Sequence, residues 1–238
     1  MSWPTVGVLI VTWNRPEVIR ATLNALKEHL RYSGDLLWHI ADDQSPGGYI
    51  YDIMADYPEL DFSYTVTPRL GWGANCNTGM MYLDTKCKYI FLCEDDYIAL
   101  RPIRLDQGVA LLETTEDIGL VRYDGIAGHA LNLELRECRG TPAGTFSFLR
   151  ILKHSPFLYV YSHRPHLKAR RFHKHYGLYK QGIPLGATEE DFAKRVYNDK
   201  DGGPTTACLA DGILRAFDHV GQSRQGTEAD RESSGRAA

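Results

Sequence analysis

The chain has 238 residues, of which 43% are hydrophobic and 24% are charged, and its formal net charge at pH 7 is −3. This composition excludes a disordered or fibrous chain, and the small net charge gives no global attraction to nucleic acid or membrane. The five cysteines are odd in number and lack CxxC or Cys/His spacing, which argues against a disulfide framework and structural zinc and favours a reducing cytoplasm. No segment approaches the about 20 apolar residues of a membrane span, so we expect a soluble protein.

The N-terminal part of the chain alternates between strand and helix patterns. Residues 6–11 form an apolar run that predicts a buried strand, and residues 14–17 then supply helix-start chemistry with Pro16 in the first turn. Ile19, Leu23, Leu26 and Leu30 continue at helical spacing. Further strands are predicted at 36–41 and 62–67, a turn at 45–48, and a helix that follows the glycine-rich segment 71–79.

The most informative segment is the next strand, at residues 88–93, which ends in Glu94, Asp95 and Asp96. Side chains two residues apart on a strand point the same way, so Glu94 and Asp96 are predicted to converge while Asp95 turns toward a neighbouring group. Hard oxygen ligands in this arrangement suit Mg²⁺ or Mn²⁺ with a phosphate. The alternative interpretation is a solvated acidic turn after a strand.

Strands that alternate with helices, each ending in polar residues, predict an α/β fold with a mostly parallel sheet. Ligands of such sheets bind in a crevice at the carboxyl ends of the strands. The polar clusters at 12–15, 42–45, 69–77 and 94–96 are therefore predicted to line one rim.

The pattern changes after residue 120. Residues 130–136 and parts of 145–152 alternate between apolar and polar, which predicts antiparallel strands that elaborate the first sheet. A helix is predicted from a capping box with Thr188 as the N-cap and Asp191 at the third helical position. Residues 222–238 contain nothing apolar larger than alanine, which predicts a disordered tail.

The segment 163–180 is rich in Lys, Arg and His and has no acidic residue. One interpretation is a flexible loop that folds over a diphosphate, with Arg170 or Arg171 neutralising charge. A second is a nucleic-acid groove in which aromatic side chains stack on bases. A third is a solvated basic face.

Taken together, four motifs resemble the nucleotide-sugar glycosyltransferases of family 2, which have the GT-A fold. They are VTWNRPE at 11–17, IADDQS at 40–45, RLGWGANCNTG at 69–79 and EDD at 94–96. The resemblance covers about the first 105 residues and returns near 186–195 and 217–223. It implies that Asp96 binds the metal. It also implies that the donor contacts Thr12, Asn14, Arg15, Asp42 or Asp43, Arg69, Gly71, Asn75, Asn77, Glu94 and Asp95.

Two further residues follow from the resemblance. The segment GATEEDFAKR at 186–195 resembles the acidic pair that carries the family's catalytic base, which implies Asp191 as the base and Glu190 as the second candidate. The alternative for Asp191 is the capping box. His219 resembles a late histidine that some of these enzymes use as an additional metal ligand, and its alternative is an ordinary surface or packed residue.

The resemblance implies one GT-A domain over residues 1–221, with a nucleotide-sugar half at 1–105 and an acceptor half at 106–221. The expected activity is inverting, metal-dependent transfer from a nucleotide-diphosphate sugar, a UDP-sugar in the first instance, with Mn²⁺ or Mg²⁺ as cofactor. The expected acceptor is a hydroxyl of a glycan or lipid-linked glycan, and a hydroxylated base in DNA is the alternative. A sugar-phosphate nucleotidylyltransferase and a non-catalytic sugar-nucleotide binding protein are the rival classes.

Overall fold

In the computed structural model of the protein, the described residues are 2–124, 126, 130–199 and 201–221, so the predicted tail at 222–238 lies outside them. The strands are β1 Val6–Thr12, β2 Leu30–Arg31, β3 Leu36–Asp42, β4 Ser63–Val66, β5 Tyr89–Glu94, β6 Tyr97–Ala99, β7 Ile103–Arg104, β8 Ile118–Arg122, β9 Leu133–Thr141, β10 Gly144–Ile151, β11 His166–Ala169, β12 Thr205–Leu209 and β13 Phe217–His219. The helices are α1 Pro16–His29, α2 Tyr49–Asp56, α3 Trp72–Asp84, α4 Leu105–Thr114, α5 Arg170–Tyr176 and α6 Leu185–Asn198. Within the described ranges, no helix has the length and apolar character that crossing a bilayer requires.

The main sheet has nine strands in the order β4-β3-β1-β5-β11-β8-β12-β10-β9. Strands β4, β3, β1 and β5 are parallel to one another, and β8 and β12 form a second parallel pair. Strand β11 is antiparallel to β5 and β8, and the antiparallel β9–β10 hairpin extends the far edge. This mixed sheet confirms the predicted fold class. Strands from both predicted halves join it, and the domain limits themselves stay a prediction.

Strand β1 shows how the chain divides its apolar residues between two layers. Val8 and Ile10 face a core that also contains residues of α1, α2 and α4. Leu9 and Val11 face the opposite core, with residues of α3, α5 and α6. Every residue of β1 is buried, because neighbouring side chains of a strand point to opposite faces and helices cover both. The sheet is therefore the middle of three layers.

The register of the parallel strands brings predicted polar clusters to one edge. Thr12 of β1 pairs with Asp42 of β3, and Val11 pairs with Glu94 of β5. Because these strands are parallel, their carboxyl ends emerge on the same side of the sheet. The rim that the sequence predicts is formed here.

A small second sheet brings the last described residues to the same rim. Strand β13 pairs antiparallel with β6, which places His219 opposite Tyr97. Their rings stack with centroids 4.4 Å apart and an interplanar angle of 4°. The backbone N–H of Val220 donates to the carbonyl of Asp96 at 3.0 Å. These contacts bring residues far apart in sequence beside the acidic turn.

Helix α6 begins earlier than the sequence predicts. The capping-box pattern places the N-cap at Thr188, but the N-cap is Pro184. Thr188 is fully buried inside the helix, and its hydroxyl donates to the carbonyl of Pro184 at 3.2 Å. Burial of the helix face that carries Thr188, Phe192 and Val196 overrides the weaker capping preference. The predicted capping box is wrong.

The basic stretch 163–180 is neither a flexible loop nor a solvated face. It contains β11, which lies in the interior of the main sheet, and α5. Phe172, Tyr176 and Tyr179 are buried in the core under α3, α5 and α6, so they present no surface on which bases can stack. Each of the three sequence interpretations of this stretch is therefore corrected.

The arginines proposed for a diphosphate are used inside the fold. Arg170 donates to the carbonyl of Cys87 at 2.8 Å, and Arg171 donates to the carbonyl of Leu112 at 2.8 Å. The carbonyls near the end of a helix carry partial negative charge, which favours a cation there. Both guanidinium groups hold α5 against its neighbours instead of reaching a ligand.

Lys168 is a buried cation on β11, with 1% of its surface exposed. Its ammonium donates to the hydroxyl of Tyr179 at 3.2 Å and lies 4.9 Å from the centroid of the same ring. Burial lowers the pKa of Lys168 to about 8, because these contacts replace only part of the lost hydration. The residue therefore carries a cost in stability at neutral pH.

Lys168→Met is expected to raise the free energy of unfolding near pH 7 by on the order of 1–3 kcal/mol, since it removes that cost. Between about pH 8 and about pH 10.4 the unfolded wild-type chain binds more protons than the folded chain, so wild-type stability rises with pH in this window. The stability advantage of Lys168→Met over the wild type should therefore shrink as the pH approaches the upper end of this window. Urea melts measured across this range check both effects.

The exposed Lys174 of α5 provides the matched control, and Lys174→Met is expected to change stability by less than about 0.5 kcal/mol. A Lys168→Met variant that is less stable than the wild type, or whose advantage is the same at every pH, contradicts the assignment.

Candidate active site

Strand β5 ends at Glu94, and Asp95 and Asp96 follow in a tight turn before β6. Asp95 is completely buried. Its N–H donates to the carbonyl of Val11 at 3.1 Å, and its carboxylate accepts a hydrogen bond from the hydroxyl of Thr12 at 2.6 Å. The end of β1 thus fixes the turn at the end of β5.

Arg15 is the cation of this turn. Its Nη1 donates to Oδ2 of Asp96 at 2.7 Å, and its Nε and Nη2 donate to the two oxygens of Asp95. Asp95 and Asp96 share this cation, which strand alternation does not predict because β5 ends at Glu94. The convergence of Glu94 and Asp96 stays a prediction, and burial together with the charge of Asp96 raises the pKa of Glu94. Asp95 does turn toward a neighbouring group, as predicted.

The structure brings together Asp96 and His219, the two predicted metal ligands. His219 Nε2 lies 3.3 Å from Asp96 Oδ2. Asp96 Oδ1 and His219 Nδ1 are buried and have no hydrogen-bond partner among the described residues. An unused carboxylate oxygen and an imidazole nitrogen form a donor set that suits Mn²⁺, so the residues present fit a divalent cation.

The protein offers few ligands at this position. In the described part of the chain, no three or more His, Cys, Asp or Glu side chains are grouped so that they could hold a metal. A cation held by Asp96 and His219 would need further ligands from water or from a phosphate, as is usual for hard cations at phosphate sites.

Burial and mutual repulsion dominate the electrostatics of the turn. Burial raises the pKa of Glu94, and the nearby Asp96 raises it further. Burial also raises the pKa of Asp95 to about 6, against the lowering effect of Arg15. For Asp96 the bonds to His219 and Arg15 outweigh burial and leave its pKa below the ordinary value. A positive charge in this turn thus offsets the energetic cost of burying the carboxylates and reduces their mutual repulsion.

Asp42 holds the loop that follows β3. Its carboxylate accepts hydrogen bonds from the N–H of Ser45 at 2.8 Å and from the Ser45 hydroxyl. That hydroxyl in turn accepts the N–H of Asn14 at 2.7 Å. Asn14 adopts a left-handed backbone, with φ of 47°, that asparagine tolerates better than most residues. Two of the predicted donor-binding loops are therefore linked to each other.

Asp43 holds the entry to α3. Its carboxylate accepts the N–H groups of Leu70 at 3.0 Å and Gly71 at 3.2 Å. Gly71 has φ of 85°, which favours glycine, and it is the N-cap of the helix. The guanidinium of Arg69 lies 3.5 Å from the ring centroid of Trp13. The amino end of α3 and an exposed cation thus lie at the rim.

Asn75 and Asn77 are buried along α3 and are not its caps. Asn75 donates to the carbonyl of Ala41 at 2.8 Å. Asn77 donates to the carbonyl of Tyr179 and accepts its N–H, at 2.8 and 2.9 Å. Both amides fasten the helix to neighbouring segments, and direct contact of either with a donor stays a prediction.

Gly73→Ala is expected to lower the free energy of unfolding by about 1–3 kcal/mol, because an added Cβ would lie 2.2 Å from the carbonyl oxygen of Lys180. Gly186→Ala on α6 is the matched control, since a Cβ there meets nothing within 4 Å and alanine favours a helix. Urea denaturation of both variants checks the difference. Equal stabilities would contradict the close packing of α3 against residue 180.

Asp191 and Glu190, the predicted base and its alternative, both form ion pairs along α6. Asp191 lies 3.0 Å from Arg195, and Glu190 lies 2.6 Å from Lys194. Both carboxylates are partly exposed, at 34% and 47% of their side-chain surface. Their catalytic roles stay predictions.

Glu189 is a further carboxylate that the sequence interpretation did not single out. Its Oε1 accepts the hydroxyl of Ser162 and the N–H of His163, each at 2.8 Å. Its charge also contributes to the raised pKa of Glu94. The signal available in the sequence is helical spacing, since Glu189 precedes the buried Phe192 by three residues and so lies near the inward face of α6.

Comparison with known proteins decides the family. The family model described as glycosyl transferase family 2 matches residues 7–174, more than half of the chain. The chain belongs to glycosyl transferase family 2. This membership confirms the sequence resemblance and the interpretation as a glycosyltransferase. No curated protein matches the chain in sequence.

Solved structures of similar fold are also glycosyltransferases. Residues 1–349 of TarS of S. aureus, in complex with UDP-GlcNAc, have a TM-score of 0.62 at 16% identity, over 96% of this chain and 64% of that fragment. The mannosyltransferase PcManGT of Pyrobaculum calidifontis, with GDP-Man and Mn²⁺, has a TM-score of 0.60 at 14% identity, over 97% of this chain and 61% of that chain. GalNAc-T7, with UDP, GalNAc and Mn²⁺, has a TM-score of 0.62 at 14% identity, over 91% of this chain and 44% of that chain. The chain thus spans less than two thirds of each of these proteins, and their similarity shows the GT-A fold.

Proposed function

We propose that this family 2 glycosyltransferase moves a sugar from a nucleotide-diphosphate donor, a UDP-sugar, to an acceptor hydroxyl with inversion and with the help of a divalent cation. The observation that carries the proposal is the pair Asp96 and His219, whose side chains lie 3.3 Å apart at the carboxyl edge of the sheet and each keep one buried donor atom unused. Complexes of similar folds with UDP-GlcNAc, GDP-Man and Mn²⁺ support it.

The rim residues would bind the donor. The first loop, which contains Thr12 and Asn14, and the loop after Asp42 would hold the nucleotide, since they form one hydrogen-bonded unit beside the acidic turn. Arg69 and the amino end of α3 add positive charge for a diphosphate. These contacts would hold the donor sugar near Glu94 and the inward face of α6.

Asp96 and His219 would hold Mn²⁺ or Mg²⁺. Such an ion would supply Lewis-acid stabilisation of the leaving diphosphate. Arg15 and Arg69 can stabilise the same charge by direct hydrogen bonds, because guanidinium groups match phosphate oxygens. Burial of the turn strengthens these interactions, since water does not screen them.

A carboxylate on α6 would accept the proton of the acceptor hydroxyl as that oxygen bonds to the anomeric carbon. Attack by the hydroxyl on the face opposite the departing diphosphate inverts the configuration in one displacement. Glu189 is favoured because it bonds to residues 162–163 and not to a cation of α6, whereas Asp191 and Glu190 pair with Arg195 and Lys194. Hydrogen bonds from Ser162 and His163 would hold the Glu189 carboxylate in a fixed orientation.

A glycan or lipid-linked glycan remains the proposed acceptor class. A DNA base is disfavoured, because the aromatic residues on which that alternative depended are buried. Release of pyrophosphate from a nucleoside triphosphate would instead indicate the nucleotidylyltransferase, and nucleotide binding without turnover would indicate the binding protein. A cytoplasmic location stays a prediction.

The metal assignment predicts the outcome of a UDP-release assay across UDP-sugars with and without Mn²⁺. Asp96→Asn is expected to lower UDP release by at least about 100-fold, because the ion loses its anionic ligand. His219→Ala should raise the Mn²⁺ concentration needed for half-maximal rate. Asp52 is exposed, so Asp52→Asn is the control and should change neither the rate of UDP release nor the Mn²⁺ concentration needed for half-maximal rate. Wild-type rates in Asp96→Asn would refute the site.

The base assignment is tested by three variants assayed for transfer at saturating donor. Glu189→Gln is expected to lower the rate of transfer by about 10²–10⁴-fold with little change in donor KM. Glu190→Gln and Asp191→Asn serve as matched controls on the same helix and should retain transfer. A large loss in Asp191→Asn with an active Glu189→Gln would assign the base to Asp191, as the sequence resemblance implies.

A further inference from the structure

Arg15 occupies the acidic turn in a way that competes with the proposed cation. Its Nη1 bonds to Asp96 Oδ2, the same oxygen that His219 approaches, and its other nitrogens bond to both oxygens of Asp95. An arginine that makes three bonds to two buried carboxylates is part of a folded site, not a solvated surface group.

We propose that Arg15 is an exchangeable counter-cation, which neutralises Asp95 and Asp96 before the donor arrives and moves to the donor diphosphate when the divalent cation takes its place. This inference rests on the proposed function. Its consequence is that the protein binds the cation weakly on its own, and that cation and nucleotide strengthen each other's binding.

Electrostatics provides the driving force for the exchange. A divalent ion bound to Asp96 repels a guanidinium that shares the same carboxylate, and the repulsion is large in a buried turn. The donor's diphosphate brings negative charge with the geometry that a guanidinium prefers. The diphosphate, which is the new partner of Arg15, thus arrives together with the divalent ion that displaces Arg15 from Asp96.

The local structure allows Arg15 to move. Its side chain is 33% exposed, whereas the Asp95 and Asp96 side chains are 0% and 6% exposed, so the carboxylates are fixed and the arginine reaches in from the rim. Arg15 is the N-cap position of α1 but makes no side-chain capping bond.

The test is equilibrium binding of Mn²⁺ to the full chain, measured by EPR of the free ion, without nucleotide and with saturating UDP. Arg15→Met should bind Mn²⁺ alone about tenfold more tightly than the wild type, within the usual range of coupling between sites. UDP should strengthen Mn²⁺ binding strongly in the wild type and little in Arg15→Met. Arg15→Lys, which retains the charge but loses the planar fork, should lie between them.

Two controls keep the test decisive. Arg20→Met removes a charge from the same helix, where Arg20 pairs with Glu17 and Asp56 at the surface, and should leave Mn²⁺ affinity unchanged. Circular dichroism shows whether Arg15→Met retains the fold. If it does not, the double variant Arg15→Met/Asp95→Asn, which removes the arginine together with one of its carboxylates, takes its place in the Mn²⁺ measurement. Asp96→Asn shows separately whether Mn²⁺ binds at this turn.

The outcomes distinguish the two proposals. Mn²⁺ binding that Asp96→Asn does not weaken refutes the proposed metal site. Binding that depends on Asp96 but is equally weak in the wild type and Arg15→Met refutes only the exchange. An equal gain in Arg15→Met and Arg20→Met also refutes it, because general electrostatics would then explain the gain.

Discussion

The site depends on the ionic cluster of Arg15, Asp95 and Asp96 at the end of β5. Two neighbouring carboxylates that are almost fully buried need a positive partner, because neither water nor backbone N–H groups compensate their charge fully. This requirement explains why the first loop, the acidic turn and the last described strand all meet at one point. It also makes the turn responsive to cations, since any positive charge that enters must replace or join the arginine.

The topology of the sheet fixes the two carboxylates of this cluster. Strand β5 lies between the parallel β1 and the antiparallel β11, both interior strands, so its end cannot shift without disrupting the core. Thr12 at the end of β1 fixes Asp95, and the pairing of β13 with β6 fixes His219 beside Asp96. The chemistry is thus carried on turns and strand ends whose positions are set by buried strands.

Helix α6 shows how packing gives three neighbouring carboxylates different partners. Three successive acidic residues, Glu189, Glu190 and Asp191, lie on this helix. Because Phe192 and Val196 are buried, the helix has one orientation, in which Glu189 bonds to the segment at 162–163 and the other two pair with cations on the helix itself. A helix that began at the predicted N-cap would carry the same residues with a different first turn.

The sequence by itself determined the parallel strands of the first half, the rim at their carboxyl ends, the acidic turn and the family, because periodicity and strand-end motifs are local signals. Only the tertiary structure decided that the basic stretch 163–180 contains an interior strand with the buried Lys168, that α6 begins at Leu185, and that Arg15 is shared by Asp95 and Asp96. These features depend on partners that long-range strand pairing supplies, and burial against such partners outweighs the local preference of charged residues for solvent and of threonine for a helix cap.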